Sequence, residues 1–203
     1  MDHIRYTLLA DGSSDAVLMP VIDWLFSEHV PHLKVTGTFA RDLNITDRGL
    51  QSRIHAATRN YPCDVLFVHR DCETALLADR LTEITAVSRN LTNAIVPVVP
   101  CRMTEAWLFS DEQAIRFAAG NQSGRVKLVI PAKRRWDSLP DPKEELLQLL
   151  CDASEKSGRA LKKFRPESAR HIVAQRTESF AGLRGVAAFD EFEQAFLHFL
   201  RRL

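Results

Sequence analysis

Through the first 120 residues, short β-rich apolar runs alternate with stretches whose apolar residues recur at helical spacing, and that alternation leaves few folds open. Ile4–Ala10 (IRYTLLA) reads as a strand that stops at Asp11-Gly12. Ser13 or Ser14 can cap the helix that follows, where Val17, Leu18, Val21, Ile22 and Leu25 share one face. Lys34–Phe39 (KVTGTF) is a second strand, and Asp47 can cap a helix over Gly49–Arg59 with Leu50, Ile54 and Ala57 inward. Asp64–His69 (DVLFVH) is the clearest buried strand. A helix is expected over Thr74–Arg89, and Ala94–Val99 (AIVPVV) is a fourth strand, interrupted by Pro97. Strands separated by helices form right-handed βαβ units. The expected fold is therefore α/β, a Rossmann-like parallel sheet of about four strands flanked by helices. In such sheets the ligand-handling groups gather at the carboxyl ends of the strands.

Beyond residue 120 the pattern turns helical. Gly120 ends a helix begun near Glu105 or Asp111, and Arg125–Trp136 (RVKLVIPAKRRW) is a basic connector. Asp141-Pro142 starts a helix whose Leu146, Leu147, Leu149 and Leu150 form a core face. Ser154–Lys163 is polar enough to be mobile, and further helices are expected at Pro166–Arg176 and Phe189–Arg201. The last carries Phe189, Phe192, Phe196, Phe199 and Leu200 on one stripe, which reads as packing. The chain thus divides into an α/β core over 1–120 and, over 121–203, a connector and helical extension packed on the same domain.

Composition narrows the function classes. With 45% hydrophobic and 26% charged residues, the 203-residue chain is an ordinary globular one, not a disordered one. No apolar run approaches the roughly 18 residues needed to span a bilayer, and Met1-Asp2-His3 does not resemble a secretory signal. Cys63, Cys72, Cys101 and Cys151 show no zinc or disulfide spacing, so a reducing cytoplasm is the expected compartment. The net charge of +1 hides an asymmetry: residues 1–120 hold 11 Lys and Arg against 15 Asp and Glu, whereas residues 121–176 hold 13 against 7. An acidic half followed by a basic segment suits a metal site beside a polyanion track; a solvated helical surface would look the same.

The acids cluster where the strands end. Asp11 follows the first strand, with Asp15 four residues later; Asp71 and Glu73 follow the third; Glu105 lies past the fourth. Carboxylates gathered at one sheet edge repel one another unless a cation sits among them. An oxygen-only donor set selects a hard ion, Mg²⁺ or Mn²⁺, which can polarise a phosphoryl oxygen. Each acid also has an ordinary structural role open to it, as a turn former, a cap or an exposed first-turn residue. His69 and Arg70, beside Asp71, can steady a phosphate or simply pack on the sheet. Lys133, Arg134 and Arg135, followed by Trp136, combine phosphate-binding charge with a possible stacking surface. The chain has no GxxxxGK[ST] loop, no GxGxxG after the first strand and no GxSxG elbow.

Three segments resemble a known family. Leu8–Asp15 (LLADGSSD) resembles the first Toprim motif, a strand ending in Glu-Gly with an acid soon after. Leu66–Glu73 (LFVHRDCE) resembles the second, a hydrophobic strand ending in Asp-x-Asp. Met103–Asp111 (MTEAWLFSD) is similar to the Glu-x-Trp-Leu-x-x-Asp element of small bacterial Toprim-like proteins allied to OLD-family nucleases and often found in defence loci. The Phe189–Phe196 segment is similar to their C-terminal helix.

The resemblance implies a Toprim-like core in which Asp71 and Glu73 hold Mg²⁺ or Mn²⁺. It makes Asp11 a ligand or general acid/base, and Asp15 and Glu105 candidates for a second metal. Asp11 stands where the family has Glu and Glu73 where it has Asp; both keep the charge but change its reach by one methylene. The only tyrosines, Tyr6 and Tyr61, fall in or beside strands, which argues against topoisomerase chemistry. The expected function is metal-dependent, nuclease-type hydrolysis of DNA or RNA, with Asp11, Asp71 and Glu73 catalytic and Lys133, Arg134 and Arg135 on the nucleic acid. By the same resemblance a bacterial defence system and a separate ATPase partner are expected. Two alternatives stand beside it: a non-catalytic Toprim-like subunit that binds nucleic acid or protein, and a metal-dependent phosphotransferase acting on a small phosphate ester.

Overall fold

The computed structural model describes residues 2–72, 76–88, 91 and 93–203. Four strands, β1 (His3–Leu9), β2 (Lys34–Phe39), β3 (Val65–His69) and β4 (Ala94–Val98), form one parallel sheet in the order β2-β1-β3-β4. Helices α1 (Leu18–His29), α2 (Leu50–Asn60) and α3 (Leu77–Ser88) connect them. The chain steps from β1 outward to β2, then crosses back to β3 on the other side of β1. The reversal makes the gap between β1 and β3 the topological switch point, where loops at the carboxyl edge diverge and leave a crevice.

Alternation along the strands divides the core in two. On one face Ile4, Tyr6 and Leu8 of β1, Val65 and Phe67 of β3, and Val96 and Val98 of β4 meet α1. On the other, Leu9, Leu66 and Val68 meet Leu50, Ile54 and Ala57 of α2 and Ile84 of α3. All five residues of β3 are buried because this strand is covered on both faces. Gly37 in β2 lies beside the Tyr6 ring; a Cβ there would come within 2.3 Å of it, so only glycine lets that ring lie in the core.

The later helices are α4 (Glu112–Ala118), α5 (Pro142–Ser154), α6 (Gly158–Lys163), α7 (Pro166–Arg176) and α8 (Ala187–Leu200). The phenylalanine stripe of α8 lies on the α1 face of the sheet: Phe196 packs edge-on against Phe26 at 4.8 Å, and Phe192 meets Phe67 at 6.1 Å. α4, α5 and α7 pack on one another, and α7 also touches α1 and the 3-10 turn Ser13–Val17 that precedes it. One hydrophobic cluster runs from Ile4 to Phe199.

Most element bounds fall where the spacing of apolar residues puts them, but Ser13, Ser14 and Asp47 are not caps: α1 follows Val17 and α2 follows Gly49, with no side-chain cap bond at either. Asp141 accepts from the Glu144 N–H and Pro142 opens α5, as its sequence predicts. The polar stretch over 154–163 holds a short helix, α6, with no buried residue. Trp136 departs from the surface role open to it. It is buried against Phe109 and donates its indole N–H to the Pro131 carbonyl at 2.7 Å, so it packs in the core and offers no stacking face.

Candidate metal centre

The carboxyl edge of β1 and β3 carries the one group among the described residues whose donor atoms converge on a point. Donor atoms of Asp15, His69 and Asp71 all lie within 4.8 Å of one another. His69 ends β3 on the face shared by Val65 and Phe67, and it is fully buried. Its Nδ1 lies 3.0 Å from the Val98 carbonyl, which only accepts, so Nδ1 carries the proton of this bond. Nε2 is thereby turned toward the acids, 3.3 Å from Asp71 Oδ1 and 3.7 Å from Asp15 Oδ2. Neither Nε2 nor Asp71 Oδ1 has a hydrogen-bond partner, and both are buried.

Local folding places the acids. After Leu9 the chain turns at Asp11-Gly12 into the 3-10 turn, where the Gly12 N–H donates to Asp15 Oδ2 at 2.8 Å and the Asp15 N–H donates back to the Gly12 carbonyl at 3.2 Å. The reciprocal bonds hold the Asp15 carboxylate inward. Burial pushes its pKa up, with Asp71 adding to the rise and His69 and the Gly12 N–H opposing it. His69 feels the opposite contest. Burial alone would lower it, but the Asp71 and Asp15 carboxylates and the Val98 carbonyl hold it above the ordinary imidazole value. Two carboxylates and an imidazole at this depth need a shared positive charge, either a proton or a cation.

The donor set fits a metal ion. An imidazole whose second nitrogen is anchored by a backbone carbonyl has the orientation of a metal-ligating histidine, and Nε2 and Asp71 Oδ1 face each other at 3.3 Å with no hydrogen bond to satisfy either. Three protein donors also leave coordination positions for a substrate. Asp15, His69 and Asp71 can therefore hold a metal ion. The expectation of an oxygen-only set changes here, because His69 contributes nitrogen.

The other acids have different surroundings. Asp11 stands at the same edge but is ion-paired with Arg53 Nη1 of α2 and, at 3.2 Å, with Arg70 Nε; it does not join the cluster. Glu105 is buried and paired with Arg170 of α7, with Thr104 Oγ1 donating to it at 3.2 Å. Glu73 lies outside the described residues. In the Glu-x-Trp-Leu-x-x-Asp element the remaining three residues serve the fold, Leu108 by lying in the core. Trp107 stacks on Phe192 at 5.8 Å, and Asp111 caps α4 by accepting from the Ala114 N–H at 3.0 Å. Arg134 and Arg135 are exposed on the 3-10 turn Lys133–Ser138, whereas the Lys133 ammonium donates to the Arg184 carbonyl.

Sequence reasoning left His69 between phosphate contact and packing. The signal for a ligand was a polar residue closing a strand that is otherwise apolar, two positions before an acid. All four cysteines are free thiols, with Cys72 and Cys101 3.8 Å apart at sulfur. No helix among the described residues is long and apolar enough to cross a membrane. Comparison with family models, with curated proteins and with solved structures found no match.

Proposed function

We propose that this chain is a divalent-metal-dependent phosphodiesterase of the Toprim-like nuclease type, acting on DNA or RNA, with Asp15, His69 and Asp71 as the residues that hold the metal. The observation that carries the reading is the buried His69 Nε2, which makes no hydrogen bond and faces two carboxylates 3.3 and 3.7 Å away at the switch point of a parallel sheet. The mixed nitrogen and oxygen donors favour Mn²⁺ over Mg²⁺, which takes nitrogen less readily. A cation bound there would supply Lewis acidity to a phosphoryl oxygen. The protein's own part is positional. Val98 orients His69, Gly12 orients Asp15, and Arg70, paired with Asp11 and Glu83, holds a guanidinium at the same sheet edge. Of the three cations expected on the nucleic acid, Arg134 and Arg135 are left to contact its backbone, giving affinity without sequence information. A cytoplasmic setting rests on the cysteine usage, and a role in bacterial defence and a separate ATPase partner rest on the motif resemblance alone.

Labelled DNA and RNA oligonucleotides incubated with Mn²⁺ test this. Cleavage is expected from the wild type, with a loss of at least about a hundredfold in His69→Ala and in Asp71→Ala. Unchanged cleavage in either folded variant would sink the assignment.

One observation favours a second reading, a binding subunit without turnover. The acid in the first-motif position, Asp11, is held by two arginines instead of standing free. That reading predicts oligonucleotide binding that survives EDTA and no cleavage with any divalent ion.

A further inference from the structure

Beside the metal centre, at the same carboxyl edge, a cleft of about 710 Å³ opens between the end of β1, the loop after β2 and the start of α2. Arg41, Arg48 and Arg53 line it, against Asp11 and Asp42. Arg53 is committed to Asp11 and to the Ala10 carbonyl. The Arg41 guanidinium lies over the Phe39 ring, 5.8 Å from its centroid. Arg48 is exposed, and among the described residues nothing pairs with it. Between these charges Leu43 and Ile45 are only half-buried and present apolar surface to the cleft.

The cleft wall is already held in place. Asn60 Nδ2 donates to the Leu43 carbonyl at 3.1 Å, and the Asp42 N–H donates to Tyr61 Oη at 3.2 Å. The end of α2 thus fixes the loop that forms the wall, so a ligand would bear little ordering cost on binding. Asp11 also joins the cleft to the metal centre. Its carboxylate bridges Arg53, on the cleft side, and Arg70, which lies between His69 and Asp71 in sequence.

We propose that this cleft receives one or two nucleotides of a single nucleic-acid strand, with Arg41 and Arg48 on phosphates and Leu43 and Ile45 under a base. Guanidinium forks match phosphate oxygens, and aliphatic side chains beside such charge give a base an apolar surface to lie against. A concavity of this size suits a small-molecule-sized ligand; a duplex displays its phosphates on a convex surface too wide to enter. The inference rests on the nuclease-type reading and names its substrate as single-stranded or frayed ends. It moves the main phosphate contacts from the basic connector to the loop after β2.

The test is fluorescence anisotropy in EDTA with a short fluorescein-labelled oligothymidylate, beside a blunt duplex of equal length. The wild type should bind the single strand more tightly. An Arg41→Ala/Arg48→Ala variant, checked for folding by circular dichroism, should lose about tenfold in affinity. Its salt dependence should flatten by about 1.4 in the log–log slope, the share of two single-strand phosphates. Mn²⁺ binding by the same variant should be unchanged, which separates this proposal from the metal centre. Undiminished oligonucleotide binding in that variant would overturn the cleft while leaving the nuclease reading standing. So would a loss seen instead in Arg134→Ala/Arg135→Ala. Equal or tighter duplex binding, or thymidine monophosphate competing as well as the oligonucleotide, would overturn the single-strand assignment.

Discussion

Asp11 and Asp71 follow strands that lie side by side, and both are short carboxylates at the same edge, yet their neighbours give them different work. Asp11 meets Arg53 and Arg70, so its charge is already balanced. Asp71 Oδ1 has only the Nε2 of a buried imidazole beside it, at 3.3 Å, and no hydrogen bond or arginine satisfies it. A metal titration should tell them apart. Calorimetry with Mn²⁺ is expected to show binding abolished in Asp71→Ala and kept within about threefold in Asp11→Ala, since only the first removes a donor. Equal loss in both would mean that Asp11 reaches the metal after all. Both acids were visible in the sequence as residues at strand ends. Which of them was free was not, because the two arginines that claim Asp11 come from α2 and from the end of β3.

Elements were the most readable level. β2 and α7 occupy the ranges that alternation and the Pro-led start predict. α6 escaped because its six residues bury nothing and so carry no stripe. What the sequence did not reveal is how α8 is locked to α1. Glu193 accepts from Arg184 at 2.9 Å and lies 2.9 Å from His29 Nε2, at the end of α1. Burial pushes the Glu193 carboxyl up, but Arg184 and His29 outweigh it and hold the group below its usual value. A carboxylate with a lowered folded pKa stabilises above its unfolded value, near 4.3, and that contribution fades as the pH falls through the folded value. Glu193→Gln should therefore cost about 1 kcal/mol at pH 7, a modest figure because Arg184 is solvent-screened. In urea unfolding the gap to the wild type should close below about pH 4. A gap that persists there would show that shape, not charge, is what the residue contributes.

At the scale of the whole molecule, the division near residue 120 marks a change of pattern and no gap in the core. Phe26, Phe67 and Phe196 share one aromatic cluster, the first two from the α/β part and the third from α8. Phe196→Ala should cost about 3–5 kcal/mol, the usual range for emptying such a site. The loss should appear as a single transition in which tryptophan fluorescence and far-UV circular dichroism coincide, since Trp24, Trp107 and Trp136 all lie in the same cluster. Two separated transitions would mean that the parts fold independently.

The sequence by itself determined the four strands, the helices between them, the Asp141-Pro142 start of α5 and the sheet edge where polar groups collect. All of these depend on residues a few positions apart, whose periodicity and turn chemistry are local. Tertiary structure alone decided which acids can serve a metal. Asp11 is claimed by a residue 42 positions away and Glu105 by one 65 positions away, whereas Asp15 and Asp71 converge on His69. A carboxylate's availability depends on the charge that folding brings beside it, and local spacing carries no record of that partner.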